Sequence, residues 1–154
     1  SLHEDLERSG KKATTKLLSL AKIKATKKDA EHLGVAVGDE VLWIRRLRLA
    51  DGVAVSVMEN WLPTDFTDIS MDDLAEHGLY QLLRSRGVSL RVAKQRIGAR
   101  KANQEEAKLL DIDKGAALLT MDRTAYDNSG RAIEYGHHCY RPDLYSFEVT
   151  LVEK

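Results

Sequence analysis

Arg46 and Arg48 stand two residues apart within Val41 to Leu49, an apolar and β-branched run. In a strand, residues i and i+2 share a face and lie about 6.6–6.8 Å apart. Two guanidinium forks at that spacing can clamp a phosphate or carboxylate through bidentate hydrogen bonds. Leu42 and Ile44 precede the arginines on that face, while Val41, Trp43, Leu47 and Leu49 occupy the other. Such a strand runs through an interior, with its arginines emerging near one end. A second constellation comprises Glu134 and Tyr140, which share a strand face with Ala132, Gly136 and His138. An acid, a small residue and a phenol in one row can hydrogen-bond a polyhydroxylated ligand, with Gly136 leaving room. Either pair alone is equally what ion-paired arginines or an edge glutamate on a plain sheet face would show. Their convergence rests on an internal repeat, described below, which aligns Glu134 with Ser56 in the hairpin that carries the arginines.

Other chemistries find little support. The sequence contains no GxSxG, HExxH, P-loop or GxGxxG pattern. His137 and His138 are adjacent, so on a strand they point to opposite faces and cannot grip one ion. They read as one buried and one exposed histidine. Cys139 is the single cysteine, which rules out an intramolecular disulfide and leaves it a small core residue. No catalytic residue, metal or cofactor is expected.

The elements that must position these residues are legible in order. Leu2 to Ser9 reads as a short helix ended by Gly10, and 14–25 as a half-buried strand. Thr26-Lys27-Lys28-Asp29 is a capping box opening a helix that stops at Gly34. Val41–Leu49 and Val53–Leu62 flank Ala50-Asp51-Gly52 as a β-hairpin, with Pro63 at its end. A helix follows between Gly78 and Gly87, then a basic strand at 89–101. A second capping box, Asn103 to Glu106, opens a helix to Leu110. Strands are expected at 116–126, 131–140 and 145–152.

The chain repeats itself at a shift of 77: Thr26 meets Asn103, Asp29 meets Glu106, Leu33 meets Leu110 and Arg46 meets Arg123. One extra residue in the second hairpin turn moves the shift to 78, aligning Gly52 with Gly130 and Val55 with Ile133. Two strand–helix–hairpin units are too few for a solenoid. They predict one pseudo-symmetric α+β domain, an antiparallel sheet covered by helices.

Composition narrows the functional classes. The 154 residues carry 24 Lys+Arg against 24 Asp+Glu, with 43% hydrophobic and 31% charged residues. That balance argues against disorder and against a free-standing nucleic-acid binder. The total hides segregation: residues 1–28 hold eight Lys/Arg and three acids, 59–77 hold six acids and no Lys/Arg, and 84–108 hold eight Lys/Arg and two acids. These runs read as solvated faces, or as surfaces for a dimer partner or nearby DNA. No run is long enough for a membrane helix and no signal core is present, so a cytoplasmic location is expected. The opening Ser-Leu-His lacks an initiator Met, as expected of a piece of a longer chain.

The stretch from Arg46 to Pro63 resembles the central hairpin of UTRA domains, the effector-binding half of HutC-type GntR transcription regulators. So do Gly78-Leu-Tyr80, Glu106 to Leu110 with Gly115, and Glu134-Tyr…Tyr140-Arg-Pro-Asp143-Leu-Tyr145-Ser-Phe147. The resemblance covers essentially the whole chain as a single domain, 1–154, and implies a chorismate-lyase-like fold with a small-molecule pocket. It implies a homodimer that touches DNA only through a preceding winged helix-turn-helix domain, absent here. By the same resemblance Arg46 and Arg48 hold a phosphate, while Glu134 and Tyr140 bind the rest of the ligand. Met58 and Gly78 fall at ligand-contacting positions where relatives often carry an acid and a Ser/Thr. Those two departures turn the expectation from a hexosamine phosphate towards another anionic, more apolar metabolite. The alternative implied by the fold is a chorismate-lyase-like enzyme acting on an anionic molecule.

Overall fold

The protein is described by a computed structural model that covers residues 2–76 and 78–153. Six strands form one antiparallel sheet in the order β1-β2-β3-β6-β5-β4. The strands are β1 (Ala13–Lys24), β2 (Glu40–Ala50), β3 (Val53–Leu62), β4 (Leu90–Lys101), β5 (Ala117–Asp127) and β6 (Ala132–Tyr140). The helices are α1 (Leu2–Arg8), α2 (Lys27–Leu33), α3 (Met71–Glu76), α4 (Leu79–Ser85) and α5 (Gln104–Leu110), with one 3-10 turn at Thr64–Phe66.

Both predicted capping boxes form. The Thr26 and Asn103 side chains accept from the Asp29 and Glu106 backbone amides, and each carboxylate accepts in return from the cap's own amide. Such a cap contributes about 1 kcal/mol. The hairpin turn forms because Asp51 and Gly52 both take positive φ, as a tight two-residue connection matching the strand twist requires.

The repeat is realised as a pseudo-twofold axis. It exchanges β1, α2, β2 and β3 with β4, α5, β5 and β6, so the sheet order reads the same from either edge. β3 and β6 meet at the centre, and Glu59 faces His137 there. Those two residues are also partners in the repeat, so the axis passes through them.

Alternation along β2 divides the core. Leu42 and Ile44 pack with Leu62 and with Leu79, Leu82 and Leu83 of α4. On the opposite face Leu47 and Val57 pack with Ala107 and Leu110 of α5, joined by Cys139. α2 covers Val41 and Tyr135 on that same side. At the far end of the first face, Leu6 of α1 packs with Ala50, Met121 and Tyr140. Between the α4 cluster and the α1 cluster lies a polar stripe.

Two expectations need correction, and one element was not foreseen. Residues 145–152 pair with no strand among the described residues, because no neighbour in the chain offers its backbone a ladder. His137 and His138 point to opposite faces as expected, but both are half-buried, since helices cover both sides of the central strands. Helix α3 lacks the long apolar periodicity that would have announced it.

Candidate functional site

The polar stripe is built by register. Pairing of β2 with β3 sets Arg46 against Met58 and Ile44 against Asn60; pairing of β3 with β6 sets Asn60 against Gly136 and Met58 against His138. These residues therefore share one sheet face with Glu134, Tyr140 and Arg48.

Glu134 is the hub. It is fully buried, and it accepts from the Tyr80 hydroxyl at 2.5 Å and from Asn60 Nδ2 at 3.0 Å. Asn60 Oδ1 in turn accepts from Arg46 Nη2 at 2.9 Å. His138 Nδ1 lies 3.1 Å from the Tyr140 hydroxyl, and its Nε2 lies 3.5 Å from Asn60 Nδ2. The Tyr140 ring stacks on Tyr145 at 4.7 Å. The arrangement requires glycine at 136, because a Cβ there would come within 2.8 Å of Glu134 Oε2 and 3.2 Å of both Asn60 and His138.

Arg123 enters from β5, its guanidinium 5.1 Å above the Tyr80 ring. That distance suits a cation–π contact. Arg123 is the repeat partner of Arg46, and the Nε atoms of both are buried without a hydrogen-bond partner.

Electrostatics follow from burial. Removal from water pushes the Glu134 carboxyl up, opposed by its hydrogen bonds to Tyr80 and Asn60 and by the charges of Arg123 and Arg46. Burial, then the neighbouring Arg48 charge, bring Arg46 down to about 10. Arg48 is lowered by burial as well. Burial and the surrounding arginines press His138 down to about 3, so it is neutral at physiological pH. Burial raises both Tyr80 and Tyr140, which keeps their hydroxyls protonated donors. Three guanidiniums thus converge on a stripe whose one carboxylate already has both oxygens engaged.

The structure brings Arg46 and Glu134 into one network and sets Arg48 and Tyr140 beside it. Met58 is buried between Arg46 and His138 and presents no polar atom that could replace an acid. Gly78 is the N-cap of α4, two residues before Tyr80, with open space where a Cβ would stand. Asn60, Tyr80 and Arg123 were not singled out from the sequence. The repeat itself was the available signal for Arg123, since it aligns that residue with Arg46.

A surface cavity of about 250 Å³, lined by Arg123, Ala125 and residues 90–93, borders the stripe. A larger one, about 420 Å³, is lined by Asp111, Asp113, Arg141 and Asp143 but by none of the network residues. Its arginine is already paired with Asp143 at 2.7 Å, so the smaller cavity is the relevant one.

The opposite face carries a separate polar cluster. Arg100 holds Glu106 through two hydrogen bonds of 2.6 and 2.5 Å, which depress the Glu106 carboxyl to about 2. His137 lies 2.5 Å from Asp122 and 3.2 Å from Arg100. These contacts tie α5 to the sheet. Among the described residues no group of three or more His, Cys, Asp or Glu side chains could hold a metal ion, and no helix is long and apolar enough to cross a membrane.

Comparison with known proteins adds a consistent picture. The profile of the UTRA domain matches residues 8–146. The chain is 32% identical over 139 residues to the HTH-type transcriptional regulator GgaR of Escherichia coli, covering 90% of this chain and 55% of that protein. It is 28% identical over 148 residues to the HTH-type transcriptional repressor NagR of Bacillus subtilis, covering 96% and 61%. The chain therefore spans a little over half the length of these curated relatives. Among solved structures, a Streptomyces coelicolor protein superposes with a TM-score of 0.88 at 45% identity, over 94% of this chain and 97% of that one. The effector domain of PhnF from Mycobacterium smegmatis superposes with a TM-score of 0.89 at 28% identity, over 99% and 95%.

Proposed function

Since the chain belongs to the UTRA domain family, we propose that it is the ligand-sensing domain, 1–154, of a GntR-type DNA-binding regulator. In this reading a small anionic metabolite, a phosphate ester or a carboxylate, binds the polar stripe and changes operator binding by a full-length dimer. DNA contact belongs to a helix-turn-helix domain of the kind named in GgaR and NagR.

The single observation carrying the proposal is the charge imbalance at Glu134. Arg46 and Arg123 face one engaged carboxylate, and Arg48 adds its charge beside Arg46. Burying like charges together is costly unless a counter-charge joins them. An anion entering beside Arg46 and Arg123 supplies that charge and meets their free Nε donors. Arg48, Glu134, Tyr140, Met58 and Gly78 complete the proposed ligand contacts.

A binding role suits the site better than a catalytic one. Both Glu134 oxygens are committed to Tyr80 and Asn60, and His138 is held neutral between Asn60 and Tyr140. Regulation further requires that the ligand bind one arrangement of the dimer better than the other, because equal affinity shifts nothing.

The test is thermal melting of the chain against a panel of phosphate esters and carboxylates. At least one should raise the melting temperature, and Arg46→Ala should abolish that rise. An unchanged rise in Arg46→Ala would place the anion elsewhere.

A further inference from the structure

Glu134 pairs across the sheet with Ala125, and Ala125 pairs with Ala93 on the edge strand β4. The cavity of about 250 Å³ lies along this row, so it continues the polar stripe past Glu134 to the edge of the sheet. Its lining holds two arginines, Arg91 and Arg123, among small and apolar neighbours, and no acid. The Arg123 Nε is buried without a hydrogen-bond partner. Pockets for whole ligands usually occupy about 300–1,000 Å³, so a cavity of this volume suits one end of a ligand.

An irregularity of β4 brings Arg91 there. Leu90 pairs with Asp127 and Val92 with Tyr126, so Arg91 is an extra residue that opposes nothing on β5. Such a bulge bends the strand and re-aims a side chain. The internal repeat shows that the bulge is not part of the shared plan. Thr14, which the shift of 77 aligns with Arg91, sits in plain register between β1 and β2. The bulge at Ile133 of β6, by contrast, has its counterpart at Val55 of β3. Only the second half of the chain therefore turns an edge arginine towards the repeat partner of Arg46.

We propose that this cavity is a second anion subsite and that the effector carries two anionic groups. One lies beside Arg46 and Arg48, the other between Arg91 and Arg123, on a skeleton that crosses Asn60, Glu134 and His138. β2 stands four strand positions from β4, a backbone separation of about 19 Å in a sheet whose strands lie about 4.8 Å apart. Side chains rise roughly perpendicular to a sheet, so a single phosphate or carboxylate is too small to meet both Arg48 and Arg91. Either group suits the second subsite, since guanidinium forks hold both through paired hydrogen bonds. Lys94 and Arg96, exposed on a strand without acids, draw such a ligand to the cavity mouth. The inference rests on the anion site of the reading above and adds a second charge to its ligand.

Isothermal titration at about 0.15 M salt tests it, with linear α,ω-alkane bisphosphates of three to eight carbons and the alkyl monophosphates of the same lengths as probes. At least one bisphosphate should bind the unaltered chain about 10-fold tighter than its monophosphate, the low end for a charge-assisted hydrogen bond. Arg91→Ala should cut that ratio to about the twofold that two equivalent ends give by statistics. Ala93→Asp, which sets a carboxylate among the lining arginines, should do the same, whereas Ala93→Ser should keep the ratio. Positions 91 and 93 are exposed, so these variants should melt within about 2 °C of the unaltered chain. Monophosphate affinity should persist in all three and weaken in Arg46→Ala. A ratio near two at every length, or an advantage that survives both Arg91→Ala and Ala93→Asp, would overturn the second subsite and leave the first standing. Binding of no probe of either kind would remove both.

Discussion

Arg46 and Arg123 occupy equivalent positions in the two halves of the chain, and both act on the same carboxylate, Glu134. One reaches it through Asn60, the other lies over the Tyr80 ring whose hydroxyl donates to it. The pseudo-twofold thus turns a single motif, an arginine on the first strand of each hairpin, into a two-sided positive site around an asymmetric acid. Ser56, the repeat partner of Glu134, spends its hydroxyl on the Cys139 carbonyl instead.

Loss of either arginine should weaken anion binding. A charge-assisted hydrogen bond contributes about 1.5–3 kcal/mol, so Arg46→Ala and Arg123→Ala should each reduce the affinity for a stabilising anion by roughly 10- to 150-fold. Isothermal titration with such an anion measures this. Equal affinity in Arg123→Ala would remove that residue from the site.

Gly136→Ala should destabilise the fold by about 1–3 kcal/mol, because its Cβ must displace Glu134, Asn60 or His138. Gly78→Ser should be neutral or slightly stabilising, within about 0.5 kcal/mol, since a Cβ there meets nothing and serine is a good N-cap. Urea unfolding of the two variants side by side distinguishes a crowded glycine from a vacant one.

Stability should fall with acid in two overlapping windows. The folded state holds His138 near 3 against its ordinary 6.5, so below pH 6.5 the unfolded chain takes a proton that the native one refuses, and stability is lost from there down to about 3. Glu106 is held near 2 against 4.5, so its contribution is complete above 4.5 and is lost as pH falls through about 2. Each group adds a slope approaching 1.4 kcal/mol per pH unit, roughly, within its window. Urea midpoints between pH 7 and pH 5 should therefore be flatter for His138→Gln than for the unaltered chain.

Asp111 ends α5 in the left-handed region, φ 54°, at the position where the repeat places Gly34 at the end of α2. A side chain there is strained where glycine is not. Asp111→Gly should raise stability by about 0.5–1 kcal/mol, a melting-temperature gain of roughly 1–4 °C, whereas Gly34→Ala should lower it by a similar energy.

What could be read directly from the residues was local and periodic. The two capping boxes, the Asp51-Gly52 turn and the alternation of Leu42, Ile44, Arg46 and Arg48 each depend on neighbours within a few positions, and each forms as expected. The repeat was equally visible, and with it the symmetric strand order. Short helix α3 was not, because six residues with several acids leave no periodic apolar face to detect. The tail misled for a related reason: Phe147, Val149 and Leu151 carry a genuine strand pattern, but a strand exists only where a second backbone pairs with it.

The sequence by itself determined most of the elements, the two-unit plan, the family and the residue types offered to the site. Only the tertiary structure decided which of them meet. Asn60, Tyr80 and Glu134 lie 20 or more positions apart, and nothing in their spacing links them. The register of β3 against β6 and the packing of α4 on Leu42 and Ile44 bring them within hydrogen-bond distance. Burial then did what composition could not foretell. It removed water from Arg46 and Glu134, with Arg48 and Arg123 half-buried beside them, and so gave a chain of zero net charge a locally positive site.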